Sequence, residues 1–333
     1  MPYSPTEASV STVFLTGGSG FLGSHLLREL RMAGHDVRAL SRREATDRSL
    51  AALGATPVRA SLDDPASLQA AMADCDAVFH AAADTSIWRR HAAAQTATNI
   101  AGTQHLLRSA KTSGVKAFLH TSSVSAYSHL VHGKMTESTP QRGGDSWINY
   151  ERTKYISEQA VRQSALPWIV FNPSHILGPG DRQNWSRLIR MVDTEKLPGI
   201  PPGIGAFADV REIARAQVRA WQRQRFGECY LLGGTQASFV EFVHEVGAAL
   251  DRRTPRGATP AWALAAFARL TDAWSHVSGK EPVVTPESAA LTSHQLRVDS
   301  GKAIRELDYV ETPLDVLLAD TLAWMRSERM LRD

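Results

Sequence analysis

A doubly wound α/β fold, a parallel sheet flanked by helices with a smaller, mostly helical lobe after it, is predicted by three features of the 333-residue sequence. Short apolar runs alternate with segments of helical period through residues 12–172, the pattern of parallel strands buried on both faces. A glycine cluster, Thr16-Gly-Gly-Ser-Gly-Phe-Leu-Gly23, stands between the first apolar run and the first helical pattern. After Phe171 the alternation loosens into loop-rich sequence and then into helical segments.

The first strand is Val13 to Leu15, closed by Thr16, and Phe21, Leu22, Leu26, Leu27 and Leu30 mark the helix that follows. Between them Gly17, Gly20 and Gly23 recur every third residue. Glycines let the backbone turn tightly and let a pyrophosphate approach, while the helix N-terminus offers free N–H groups and its positive dipole end. An ordinary tight βα turn is the plainer reading. Its place after a strand, before a helix and about twenty residues ahead of a second strand weighs against that.

The second strand, Asp36 to Leu40, ends in Ser41-Arg42-Arg43 with no acid before Glu44. An acid at this strand end holds a ribose 2′-hydroxyl, whereas arginine accommodates a 2′-phosphate, so Arg42 and Arg43 point to NADPH/NADP+ over NADH. The third strand is Thr56 to Ala60, followed by Asp64 as N-cap and Pro65 as first residue of a helix through Met72. The fourth, Ala77 to His80, runs into Ala81-Ala82-Ala83, small residues that leave room for a ligand at the sheet's carboxyl edge. A helix from Asn99 to Ser109 leads to a fifth strand, Val115 to Thr121, ending in Ser122-Ser123. Another helix is predicted over Trp147 to Gln163 and a sixth strand over Trp168 to Phe171. Val210 to Trp221 is a helix, and Cys229 to Leu232 returns as a seventh strand. Phe239 to Leu250, Ala261 to Trp274 and Pro313 to Met325 form the helical lobe. The expected division is a dinucleotide-binding domain over 10–172 with 208–232 returning to it, and a substrate lobe over 173–207 and 233–330, behind a flexible terminus of residues 1–9.

A hydrophobic content of 43%, 21% charged residues and a formal net charge of +3 describe a globular chain and give no reason to expect a nucleic-acid partner. Cys75 and Cys229 fall in or beside apolar segments, as buried free thiols rather than a disulfide or metal site, which suits a reducing compartment. The N-terminal residues lack the basic and apolar regions of a signal peptide, and no stretch has the length of a membrane span, so a cytoplasmic location is expected. The segment 261–274, with Arg269 and Asp272 as its charges, leaves surface contact with lipid open.

Tyr150 and Lys154 lie four apart on a predicted helix, hence one turn apart on one face. A phenol with a pKa near 10 is a poor acid or base at neutral pH. A nearby ammonium and an oxidised nicotinamide would lower it. Ser123, at a strand end, is placed to donate to the same substrate oxygen.

With these residues the chain resembles the extended short-chain dehydrogenase/reductases, the superfamily of NAD(P)-dependent epimerases, dehydratases and reductases with the Rossmann fold. The likeness runs through Thr16 to Gly23, His80 to Ala83, Thr98 to Thr103, Thr121 to Tyr127, Tyr150 to Lys154, Gly178-Pro-Gly-Asp181 and Asp209 to Ala214. It implies Ser123, Tyr150 and Lys154 as catalytic residues, with Asn99 holding a water for proton relay. It implies cofactor contacts at Gly17, Gly20, Phe21, Leu22, Gly23, Leu62, Ala81, Ala82, Ala83, Lys154, Pro173 and Ile176 beside Arg42 and Arg43, and a homodimer through the helices of Asn99 and Tyr150.

Departures narrow the class. Dehydratases of this superfamily resemble one another in an acid pair where this chain has Val124-Ser125. Nucleotide-sugar epimerases carry an asparagine and an arginine where it has His175 and, near the second, Gly205-Ala206. A buried diphosphate would want a cation. What remains is similar to the dihydroflavonol-reductase and 3β-hydroxysteroid-dehydrogenase branch. The lobe expected to cover the substrate is apolar and aromatic, with Trp147, Trp185, Phe207, Trp262, Phe267 and Trp274 and few placed cations. Thr85, Trp88, Ser125, His175 and Trp185 are the candidate substrate contacts. The expected activity is reduction of a ketone or aldehyde on a hydrophobic small molecule, or the reverse, with Tyr150 as proton donor, Ser123 polarising the carbonyl and Lys154 tuning the phenol. A sugar or sugar-nucleotide epimerase, and a non-catalytic NADPH-binding protein, stand as alternatives.

Overall fold

In the computed structural model residues 10–332 are described; the flexible terminus expected over 1–9 lies outside the described residues. The first half runs β1 (Thr12–Thr16), α1 (Phe21–Met32), β2 (Asp36–Ser41), α2 (Glu44–Ala52), β3 (Thr56–Arg59), α3 (Pro65–Ala71) and β4 (Ala77–His80). It continues through α4 (Ala92–Thr96), a π-helical turn (Ala97–Ala101), α5 (Gly102–Thr112), β5 (Ala117–Thr121), β6 (Lys134–Met135), α6 (Asn149–Arg162) and β7 (Trp168–Pro173). Beyond lie β8 (His175–Leu177), α7 (Trp185–Asp193), β9 (Ile204–Asp209), α8 (Val210–Gln222), β10 (Glu228–Leu232) and β11 (Thr235–Ser238). The last elements are α9 (Phe239–Leu250), α10 (Ala261–Ser278), α11 (Pro286–Ser293), β12 (Arg297–Val298), α12 (Gly301–Leu307) and α13 (Leu314–Ser327).

The seven expected strands form one parallel sheet in the spatial order β3-β2-β1-β4-β5-β7-β10. Alternation along β1 explains its fully apolar run: Val13 and Leu15 enter the core under α1 and α8, while Phe14 enters the one under α3 and α5. Strand order reverses between β1 and β4, and ligands of open α/β sheets bind in the crevice outside such a reversal. β10 closes the edge beside β7, pairing Tyr230 with Phe171 in register.

The loop-rich region holds structure that periodicity did not reveal. β8, β9 and β11 make a three-stranded sheet over a core of Phe207, Phe239, Phe242 and Ile189. α2 was not expected either, because Leu50 is its single buried side chain. The helical run before β5 begins at Ala92, earlier than Asn99, and passes through the π-helical turn that contains Asn99. α6 begins at Asn149, so Trp147 stays outside it and exposed. Cys75 is buried and Cys229 partly so, both as free thiols. Among the described residues no helix is long and apolar enough to cross a membrane.

Candidate functional site

The glycine turn is built for close approach. Gly17 has φ +75°, and a Cβ there would lie 2.7 Å from the backbone nitrogen of Ala82. A Cβ on Gly23 would lie 1.9 Å from the carbonyl oxygen of Gly17, so only glycine lets α1 pack this tightly on the turn. Gly20 is the N-cap of α1 and brings no side-chain cap, leaving N–H groups of the first turn for a ligand. This uncapped cradle at the sheet's reversal fits the diphosphate of a dinucleotide.

Across the crevice, a buried chain of hydrogen bonds fixes Ala81 to Ala83. Thr103 donates to the Asn99 carbonyl (2.7 Å) and so accepts from Nε2 of His80 (2.9 Å). Nδ1 of His80 then accepts from Thr16 (2.7 Å), whose oxygen takes the N–H of Ala82 (3.2 Å). Burial pushes the His80 imidazole down to about 3, which keeps it neutral and this relay of donors intact.

At the end of β5, Ser123 accepts the Ser125 N–H (3.1 Å). Its backbone is held from below by Asn172, which donates to the Ser123 carbonyl (3.0 Å) and to Glu158 (2.7 Å). Ser122 donates to the same Glu158 oxygen (2.7 Å). Asn172 and Glu158 are buried, and the role of neither was legible in the sequence, because such residues are recognised only by the partners the fold brings to them.

α6 brings Tyr150 and Lys154 to this strand end. Desolvation in the cleft wall pushes the Tyr150 phenol up to about 12, against a hydrogen bond with Ser123 and with a further push from Asp84. Lys154, expected to lower this phenol together with an oxidised nicotinamide, has its ammonium on the Thr121 carbonyl (3.2 Å). Burial pushes Lys154 down to about 8, partly offset by Glu158. A phenol that keeps its proton is suited to giving it to a substrate oxygen.

Asn99 does not line the cleft. Its side-chain oxygen accepts the Asp84 N–H (2.8 Å), and its amide donates to the Asp84 carbonyl (2.9 Å) and to Thr153 (3.1 Å). It ties the strand-end loop to α6 through both of its amide hydrogens and one acceptor site of its side-chain oxygen. Next to Tyr150, Glu151 is fully buried and accepts from the His129 N–H (2.7 Å) and from Ser128 (2.5 Å), whose φ is +75°. Burial opposes its charge, but hydrogen bonds from His129, Ser128 and Ser146 outweigh that and hold its carboxyl below the ordinary value. This buried acid at the cleft wall was also invisible in the sequence.

One cleft of about 2170 Å³ collects these parts. Its lining includes Gly17, Gly20, Phe21, Leu22, Gly23, Arg42, Arg43, Leu62, Ala81, Ala82, Ala83, Ser123, Tyr150, Lys154, Pro173 and Ile176. Arg42 and Arg43 are exposed at its rim. Of the candidate substrate contacts, Thr85, Ser125, His175 and Trp185 line it, but Trp88 does not; its ring lies against His91 (5.0 Å) and under the Arg90 guanidinium. His175 packs among Trp185 (4.7 Å), Phe207 (5.6 Å) and Phe239 (5.9 Å), and burial pushes it down to about 4, so it serves as part of a neutral wall. Leu188, Met191, Leu197, Leu264, Phe267 and Val284 extend that wall. Of the aromatics expected over the substrate, Trp147, Trp262 and Trp274 are absent from the lining and exposed instead. Four arginines not anticipated there, Arg28, Arg182, Arg187 and Arg190, do line it. Arg182 pairs with Glu328, Arg187 with Glu281 (3.9 Å), and Arg190 donates to the Ser186 carbonyl (3.4 Å).

Residues 13–233 match the model of the NAD dependent epimerase/dehydratase family. Sterol demethylase protein B of Methylococcus capsulatus is 28% identical over 327 residues, covering 96% of this chain and 100% of that protein. The 4-hydroxy-2-methyl-3-oxo-4-farnesyl-3,4-dihydroquinoline-1-oxide ketoreductase of Stigmatella aurantiaca is 29% identical, with 89% and 91% covered. The crystal structure of gox2253 superposes with a TM-score of 0.82 at 29% identity, covering 97% of this chain and all of that one. The glycine cradle at the sheet reversal, the Rossmann topology and the family match agree: the chain belongs to the NAD dependent epimerase/dehydratase family and is an NAD(P)-dependent oxidoreductase.

Proposed function

We propose that this oxidoreductase uses NADPH/NADP+ to reduce a ketone or aldehyde on a hydrophobic small molecule, or to run the reverse oxidation. The observation that carries the reading is the shared cleft: Ser123, Tyr150 and Lys154 meet at one strand end, between the glycine cradle and an apolar wall. The cofactor, when bound, supplies or takes up the hydride. Gly17, Gly20, Phe21, Leu22 and Gly23 would hold its diphosphate, Arg42 and Arg43 its 2′-phosphate, and Leu62 its adenine end. Ala81 to Ala83, Pro173 and Ile176 would flank its nicotinamide end, and Lys154 its ribose. Residues 10–172 and 208–232 form the cofactor unit in this reading, and 173–207 with 233–330 the substrate unit.

Ser123 donates a hydrogen bond to the carbonyl oxygen, and Tyr150 gives that oxygen its proton. Asn99 acts as a positioning residue, holding the Asp84 backbone beside Thr153 on α6. The relatives whose names mention a sterol and a farnesylated ring support a large apolar substrate. Of the arginines on that wall, Arg182 and Arg187 already pair with Glu328 and Glu281. The test is a fluorescence titration with NADPH and NADH, then turnover with apolar ketones and aldehydes. NADPH is expected to bind at least about tenfold tighter, the worth of one charge-assisted contact. Arg42→Ala with Arg43→Ala should erase that difference. Tight NAD+ binding with no turnover of any carbonyl would move the assignment to an epimerase.

A further inference from the structure

We propose that the outward face of α10 docks on the surface of an anionic lipid bilayer. The polarity of this helix is inverted. Inward it buries little beyond Leu264, Ala268 and Ser275. Outward, Trp262, Leu270, Trp274 and Val277 are 76%, 71%, 68% and 79% exposed. Their spacing of eight, four and three residues keeps them within a single stripe of a 3.6-residue helix. A monomer in water gains nothing from such a stripe, and contiguous exposed apolar surface marks a contact.

What covers it follows from its edges. Arg269 and His276 stand exposed along one border of the stripe, with Asp272 half-buried behind them and Lys280 exposed just past the helix end, and neither Arg269 nor Lys280 makes an ion pair among the described residues. Two tryptophans near opposite ends, an apolar face and a basic border are what an interfacial helix presents to anionic headgroups. A second copy packed antiparallel on the same face would set basic border against basic border. The helix neither spans nor needs to, since no helix among the described residues is long and apolar enough to cross.

The other border leads into the cleft. Leu264 and Phe267 of α10, with Val283 and Val284 just beyond it, line the cavity, so apolar surface is continuous from the exposed stripe to the substrate wall. An apolar substrate would then pass from bilayer to cleft without crossing water; that consequence, unlike the docking itself, rests on the proposed function.

The full chain would be mixed with sedimenting vesicles of phosphatidylcholine, with and without phosphatidylglycerol, reading the bound fraction and the tryptophan emission. Binding to the phosphatidylglycerol vesicles, a blue shift, and weakening by salt are expected. Leu270→Glu and the double variant Arg269→Glu with Lys280→Glu should each lower partitioning about tenfold. Their NADPH titrations should match wild type, which confirms folding without reference to activity. No association with either vesicle, or equal association of Leu270→Glu, overturns the proposal. Self-association without lipid that Leu270→Glu abolishes also overturns it, assigning the face to a second copy. Vesicle binding intact with no carbonyl turnover would instead defeat only the proposed function, and turnover on soluble ketones without vesicle binding would defeat only the docking.

Discussion

Tyr150 and Lys154, one helical turn apart, show burial acting on two acids of opposite charge type. It holds the phenol protonated well past neutrality and makes the ammonium easier to neutralise, at about 8. The sign of the resulting pH dependence is fixed. The folded chain sheds the Lys154 proton at about 8, the unfolded chain near the ordinary 10.5, so the unfolded state holds more protons between these values. Stability therefore rises with pH across that window, and the penalty of the buried charge is fully present below about 8. Lys154→Met should be more stable than wild type at pH 7 by about 1–3 kcal/mol, with the gap closing by pH 10.5. Denaturant titrations of both proteins at the two pH values check this; a gap independent of pH would show that Lys154 does not titrate in that range. Asn172, Glu158 and Glu151 act through neighbours that only the folded chain brings to them. Three-residue and four-residue spacings made the glycines and the Tyr–Lys pair legible in the sequence. Partners 14 to 49 residues apart, as for Asn172, leave no such local trace.

At the scale of elements, strands buried on both faces were the easiest to read. Their apolar runs, such as Val13 to Leu15, need no tertiary information to be recognised. α2 escaped because one leucine makes no period, and β8, β9 and β11 because their pairing joins segments that are short and far apart in sequence. The π-helical turn around Asn99 left no signal in composition; π turns of this kind occur at functional sites, and here one directs Asn99 at the Asp84 backbone. The β1–α1 turn carries its own prediction. In Gly23→Ala the new methyl meets the Gly17 carbonyl, so α1 must move from the turn or the turn must open. A loss of cofactor affinity greater than about tenfold, with the far-ultraviolet spectrum retained, is the expected outcome. Unchanged NADPH affinity would mean that the turn does not hold the diphosphate.

For the whole molecule, the sheet reversal and the small β8-β9-β11 sheet bring two chemistries to one cleft. One side is glycine, alanine and backbone N–H, fitted to a charged dinucleotide; the other is largely Trp185, His175 and aliphatic side chains, with Arg182, Arg187 and Arg190 among them. Ser123, Tyr150 and Lys154 stand where the two meet. Trp262 and Trp274, expected over the substrate, face outward instead, because their spacing on α10 follows the exposed stripe and not the buried one. Comparing wild type with Tyr150→Phe tests the assignment most directly, with NADPH affinity read by fluorescence and turnover read on a ketone the wild type accepts. The expected result is affinity within about twofold of wild type and turnover lower by about 10²–10⁴, the worth of a placed proton donor. Turnover like that of wild type would contradict it and remove Tyr150 from the chemistry.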